Sequence, residues 1–155
     1  MNILIVDDSE DARDLTEAVL RSAGYTELRC ATSASEAYEC LGIGKNSADG
    51  VFPADLVLLD IVMPDVDGIE VCARIRADGR YNDVPIIMVT SLDDLDSLEA
   101  AFNSGANDYI AKPINRTELI ECVRAALSHR AELDRREKHK RELPGPRDMP
   151  AEVQS

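Results

Sequence analysis

Short apolar runs alternate with stretches of helical period five times along this chain. Ile3-Leu4-Ile5-Val6, Leu56-Val57-Leu58-Leu59 and Pro85-Ile86-Ile87-Met88-Val89 are unbroken, as parallel strands covered on both faces should be. Two weaker strands are expected near Glu27–Cys30 and Asp108–Ile110. Between the strands, Ala12, Leu15, Val19 and Ala23 recur at helical spacing, and Gly24 supplies a stop. Ser33 or Ser35 suits the cap of a second helix reaching Leu41. Ile69, Cys72 and Ile75 mark the inner stripe of a third. Leu95, Leu98 and Phe102 mark a fourth, closed by Gly105, and Leu119, Val123, Ala126 and Leu127 mark the fifth. Five βα units with short links predict an α/β fold with a doubly wound parallel sheet, because right-handed crossovers put helices on both faces.

Two segments depart from that economy. Gly42 to Pro53 is a polar link holding Gly42, Gly44 and Lys45, but Asn46 follows the lysine and the phosphate-loop spacing is absent, so a surface loop is expected. Asn115-Arg116-Thr117 matches a glycosylation sequon and is read as a helix N-cap region. After Leu127 the helix is expected to run on through charged residues to Leu143. Arg130, Asp134, Glu137 and Arg141 stand where a coiled coil needs apolar residues, so 129–143 is a solvated helical extension or linker. Three prolines from Pro144 onward predict a disordered tail over 144–155. Residues 1–128 then form one compact domain.

Composition narrows the class. Of 155 residues 45% are hydrophobic, with four Tyr, two Phe and no Trp, so the core must be mainly aliphatic. No apolar run approaches the roughly 20 residues of a membrane helix. The start lacks a basic region and meets Asp7 and Asp8 at once, unlike a secretory leader. A soluble cytoplasmic protein without membrane insertion is expected. Cys30, Cys40, Cys72 and Cys122 lack zinc spacing and are expected to be buried reduced thiols. The net charge is -13, and residues 1–128, with ten basic and twenty-four acidic side chains, carry -14 of it. Such a body repels nucleic acid, so no direct nucleic-acid binding is expected.

Where the carboxylates fall is more informative than their number. In an open parallel sheet, ligands bind at the carboxyl ends of the strands. Strand one ends in Asp7-Asp8, strand three in Asp60, strand four in Thr90-Ser91, and Lys112-Pro113 follow strand five. Three close carboxylates repel one another unless a cation is present. A hard divalent ion with oxygen ligands resolves this, and Mg2+ shares its shell with phosphate oxygens. Asp60 is then placed to attack phosphorus as a carboxylate nucleophile, with Lys112 and Thr90 offsetting charge on the phosphoryl oxygens. A strand-ending Asp or Thr is by itself more often a helix cap; the signal is the whole set in this order.

Ile-Val-Asp7-Asp8-Ser, Leu-Leu-Asp60-Ile-Val-Met-Pro64-Asp-Val-Asp-Gly68, Val-Thr90-Ser and Tyr109-Ile-Ala-Lys112-Pro113 resemble the receiver-domain family of two-component signalling, over about residues 1–128. The resemblance implies a flavodoxin-like, chemotaxis-regulator-like fold with strand order 2-1-3-4-5. It implies Asp60 as phosphoacceptor, with Mg2+ (Mn2+ in its place) held by Asp8, Asp60 and the backbone carbonyl of Val62, and by Asp7 through water. Lys112 would hold the phosphoryl group, with a cis bond to Pro113. Thr90 and Tyr109 match the family's switch pair, which changes the partner preference of the face formed by helix four, strand five and helix five. Val62 and Leu92 flank the phosphoryl group in the family, and being apolar they predict slow autodephosphorylation.

The partners implied are a sensor histidine kinase or histidine phosphotransfer protein upstream, and a protein target or output domain downstream, with a phosphorylation-dependent homodimer as an option. The chain would not be an enzyme beyond its own phosphotransfer and slow autodephosphorylation. A stand-alone receiver is favoured over the N-terminal part of a larger regulator, such as one ending in a diguanylate cyclase. A phosphohydrolase would carry a second Asp where Val62 stands. A phosphorylation-independent pseudo-receiver would not need Asp7, Asp8, Asp60, Thr90 and Lys112 intact, and an acidic pocket would repel a flavin phosphate.

Overall fold

The computed structural model describes residues 1–44, 50–64, 66–92 and 94–142. The expected tail, residues 144–155, and the middle of the link after Gly42 lie outside the described residues.

Five parallel strands form one sheet: β1 (Ile3–Val6), β2 (Leu28–Ala31), β3 (Leu56–Leu59), β4 (Ile86–Thr90) and β5 (Asp108–Ala111). Their order is β2-β1-β3-β4-β5, as the resemblance implied. The helices are α1 (Glu10–Ser22), α2 (Ala34–Leu41), α3 (Gly68–Ala77), α4 (Leu95–Ser104) and α5 (Arg116–Glu142). A short 3-10 turn, Gly79–Tyr81, follows α3. The unbroken apolar runs are the three central strands, buried at every position.

Alternation along each strand divides the core in two. Leu4, Val6, Val57, Leu59, Ile86 and Met88 pack on one face with Ala37 and Leu41 of α2 and Val71, Cys72 and Ile75 of α3. Ile3, Ile5, Leu56, Leu58, Ile87, Val89 and Ile110 pack on the other, with Val19 and Leu20 of α1 and Leu119, Val123 and Leu127 of α5.

The helix ends follow their sequence signals. Ser33, not Ser35, caps α2, its hydroxyl accepting from the Glu36 N–H at 3.2 Å. Asn115 accepts from the Glu118 N–H at 3.0 Å, so the sequon is a cap. Gly24 and Gly105 close α1 and α4 at φ +98° and +117°, conformations that L side chains rarely adopt. α5 does continue past Leu127, to Glu142.

Two expectations need correction. The apolar stripe of α4 is not its buried face: Leu95 is 67% and Phe102 47% exposed, and Ala101 alone is fully buried on this helix. α4 packs beside α3 with Ala101 buried in the shared core, which leaves the larger side chains outside. Leu15 of α1 is likewise exposed. Of the four cysteines, all free thiols, Cys72 is buried, whereas Cys30, Cys40 and Cys122 are partly exposed.

At the amino-terminal edge of the sheet, Arg76 ties two loops together. Its guanidinium donates to the carbonyls of Tyr81 (3.0 Å), Val84 and Gly105 (2.9 and 3.0 Å) and to Asn107 Oδ1 (2.7 Å). Asn107 Oδ1 also accepts from the Ile86 N–H at 2.8 Å, which fixes the start of β4.

Candidate functional site

The site is built at the opposite edge, where the strands end. β1 delivers Asp7 and Asp8, and β3, paired beside it with Val6 opposite Leu59, delivers Asp60 at the same level. Asp7 and Asp60 are 5% and 6% exposed, while Asp8 is exposed. One carboxylate oxygen from each of the three lies within 4.8 Å of the others.

Local hydrogen bonds set the carboxylates. Asp7 Oδ1 accepts from the Ser9 N–H at 2.9 Å, and Asp60 Oδ1 accepts from the Val62 N–H at 3.2 Å. Arg13, on α1, donates to the Asp7 backbone carbonyl at 2.7 Å. The sequence reading passed over Arg13; its signal was the six-residue spacing from Asp7, which turns a residue of the first helical turns back towards the strand end.

Lys112 crosses from the end of β5. Its ammonium lies 2.7 Å from Asp7 Oδ2 and 3.0 Å from Asp60 Oδ2. Burial works against the charged form, but hydrogen bonds and charge from Asp7 and Asp60 outweigh it and hold the ammonium above the ordinary lysine value. The Lys112–Pro113 peptide bond is cis.

Thr90 ends β4 fully buried, and its hydroxyl accepts a long hydrogen bond, 3.4 Å, from the Leu92 N–H. Tyr109, half-buried, stands on β5 opposite Met88 of β4 and packs with Leu92 against the core. Val62 is 52% exposed beside Asp60.

Gly68, the first residue of α3, closes the loop that follows Asp60. Its N–H donates to the Ile61 carbonyl at 2.7 Å. A Cβ there would lie 2.0 Å from the Asp60 carbonyl oxygen, so only glycine lets α3 begin against the backbone that carries Asp60.

Every donor in this cluster is a carboxylate oxygen, with neither thiolate nor imidazole. That set suits a hard cation such as Mg2+ or Mn2+ and not zinc. No helix among the described residues is long and apolar enough to cross a membrane.

Known proteins share this chain's sequence pattern and fold. The transcriptional regulator RpaA of Synechocystis, named as DNA-binding, is 34% identical over 137 residues, covering 88% of this chain and 53% of the relative. The transcriptional regulatory protein YvrH of Bacillus subtilis is 39% identical over 127 residues, 81% of this chain and 48% of the relative. The chain thus spans about half the length of the curated relatives it matches. Among solved structures, a CheY-like receiver domain protein from Methanospirillum hungatei superposes with a TM-score of 0.72 at 30% identity, over 84% of this chain and 96% of that one. The Mn2+-bound form of the response regulator Rcp1 gives a TM-score of 0.67 at 27% identity, over 79% of this chain and 88% of that one. Residues 3–124 match the response regulator receiver domain. The match spans all five strands and takes in the acidic cluster and Lys112, and the chain belongs to the response regulator receiver domain family of two-component signalling.

Proposed function

We propose that this chain is a phosphorylation switch in which Asp60 is the phosphoacceptor. The observation that carries the reading is the convergence of Asp7, Asp8 and Asp60 with the Lys112 ammonium bridging two of them. An Asp60 carboxylate oxygen attacks the phosphorus of a phospho-histidine. The new O–P bond forms as the N–P bond breaks, and the electron pair stays on the imidazole nitrogen. The donor is a sensor histidine kinase or a histidine phosphotransfer protein.

Asp7, Asp8, Asp60 and the Val62 carbonyl would hold Mg2+ or Mn2+, which when bound supplies positive charge for the phosphoryl oxygens. Rcp1, a family relative, is known in a Mn2+-bound form. Lys112 exchanges part of its contact with Asp60 for a phosphoryl oxygen, and the Thr90 hydroxyl donates to another.

Drawing Thr90 inward changes the space beside Tyr109, so the pair shifts the population between two packings of β4 and β5. The readout is the face of α4, β5 and α5, where Leu95 and Phe102 are already exposed for a protein partner, an output domain or a second copy. Residues 1–128 act as the receiver, and α5 beyond residue 128 as the connector to whatever follows in a longer regulator. The acidity of residues 1–128 puts any contact with DNA outside them. The chain turns over no external substrate; its phosphoryl group leaves by slow hydrolysis.

The test is intact-mass spectrometry after incubation with acetyl phosphate, with and without Mg2+, alongside Asp60→Ala. One adduct of about +80 Da, a single phosphoryl group, is expected in the wild type with Mg2+ only. No adduct with acetyl phosphate or a phospho-histidine donor, under conditions where Mg2+ binds, would overturn the reading in favour of a pseudo-receiver.

A further inference from the structure

The amino-terminal edge of the sheet, remote from the acidic cluster, holds a cavity of about 220 Å3. Arg76, Asp83, Asn107, His129 and Arg130 are among the residues that line it. In a chain of net charge -13 this wall brings together two guanidiniums and an imidazole with the single carboxylate of Asp83.

The chemistry of the wall is that of an anion site. Arg76 is half-buried and spends its N–H groups on neutral carbonyl oxygens, and none of the ion pairs among the described residues involves it. Burial draws its guanidinium below the ordinary arginine value, and the nearby charge of Arg130 adds to that pull against Asp83. Asn107 has its amide oxygen occupied twice, by Arg76 and by the Ile86 N–H, so its NH2 is the end left to donate. His129 is exposed and Arg130 half-buried, both on the part of α5 that leaves the sheet.

We propose that this cavity binds a small phosphate-bearing anion, held by Arg130 and His129 of α5 and the Asn107 amide. The volume is below the roughly 300 Å3 at which drug-sized pockets begin, and suits one phosphate with a short organic remainder. Because the donors come from α5 and from the loops before β4 and β5, an anion there would fasten α5 to the sheet edge where it departs. The site is separate from the phosphoacceptor edge and stands or falls independently of it.

The experiment is an amide NMR titration of the full chain without Mg2+, using sodium phosphate, glycerol 3-phosphate, and sodium chloride at matched ionic strength. Saturable shifts at Asp83, Gly105, Asn107 and Arg130 are expected with the phosphates. Tighter binding of inorganic phosphate would identify the free ion as the ligand class, and tighter binding of the ester would identify a phosphorylated metabolite. The double variant His129→Gln, Arg130→Gln is expected to weaken binding by about tenfold or more, with its remaining spectrum reporting an intact fold. Shifts that track ionic strength alone and match chloride, or an unchanged affinity in the folded double variant, would overturn the proposal.

Discussion

The Lys112 ammonium lies 3.0 Å from Asp60 Oδ2, although the two residues are 52 positions apart and end different strands. The same ammonium is 2.7 Å from Asp7 Oδ2, so a single positive charge sits between two nearly buried carboxylates. It fills the electrostatic role that a bound cation would otherwise take, so a metal ion bound there would compete with Lys112 for the charge of the same two carboxylates.

That competition predicts opposite effects from one substitution. Lys112→Met should raise Mg2+ affinity several-fold, measured by isothermal titration calorimetry. It should slow Asp60 phosphorylation by about tenfold or more, since a charge-assisted hydrogen bond is worth ~1.5–3 kcal/mol. A fall in Mg2+ affinity would show that Lys112 supports the metal site and does not compete with it.

Gly68→Ala tests the contact between α3 and the Asp60 backbone. The added Cβ would meet the Asp60 carbonyl oxygen at 2.0 Å and Ile61 Cα at 2.8 Å, backbone atoms that cannot rotate away. A loss of about 1–3 kcal/mol is expected in urea unfolding, together with weaker Mg2+ binding as the loop shifts. Wild-type stability would mean the loop relaxes freely.

If Asp60 is phosphorylated as proposed, Val62 is expected to bear on the lifetime of the signal. Its apolar side chain, 52% exposed beside Asp60, cannot orient a water by hydrogen bonding. Val62→Asn should speed loss of the Asp60 phosphoryl group by about tenfold, followed by mass spectrometry after removal of donor. An unchanged rate would remove Val62 from control of hydrolysis.

The thiols give the chain an alkaline limit. Burial pushes Cys30 up to about 12, aided by its hydrogen bond to Glu17, and pushes Cys122 up to about 11, aided by Asp108. Both native values lie above the ordinary 9.0, so the native state holds its thiol protons more tightly than the unfolded chain. The stability they contribute is complete below pH 9 and is lost as pH rises through 9 towards 11 and 12. Urea midpoints should therefore fall between pH 8.5 and 10.5, and a Cys30→Ser, Cys122→Ser variant should fall less. Native-state alkylation at pH 8 should be slow at both positions compared with the unfolded chain.

Much of this was open to the sequence because its local signals are strong. Ile3–Val6, Leu56–Leu59 and Ile86–Thr90 are apolar at nearly every position, which only a strand buried on both faces tolerates. Gly24 and Gly105 mark helix ends because a left-handed residue is cheap only for glycine. The acidic triad followed, since strand ends of a parallel sheet share one edge and the side chains there are read in order.

Tertiary structure decided what sequence spacing could not. Periodicity finds the apolar stripe of α4 but does not say which face is covered; packing beside α3 buries Ala101 and leaves Leu95 and Phe102 outside. Lys112 was expected beside a phosphoryl group, and the fold shows it bridging Asp7 and Asp60, because three converged carboxylates draw in the nearest cation. Arg76 gave no sequence signal, since an arginine bound to backbone carbonyls leaves no partner residue to recognise. The sequence by itself determined which side chains reach which edge of the sheet, because strand order and burial are written in local apolar pattern. Only the packed chain decided which of those side chains touch, because contact depends on helix docking distances that no single segment encodes.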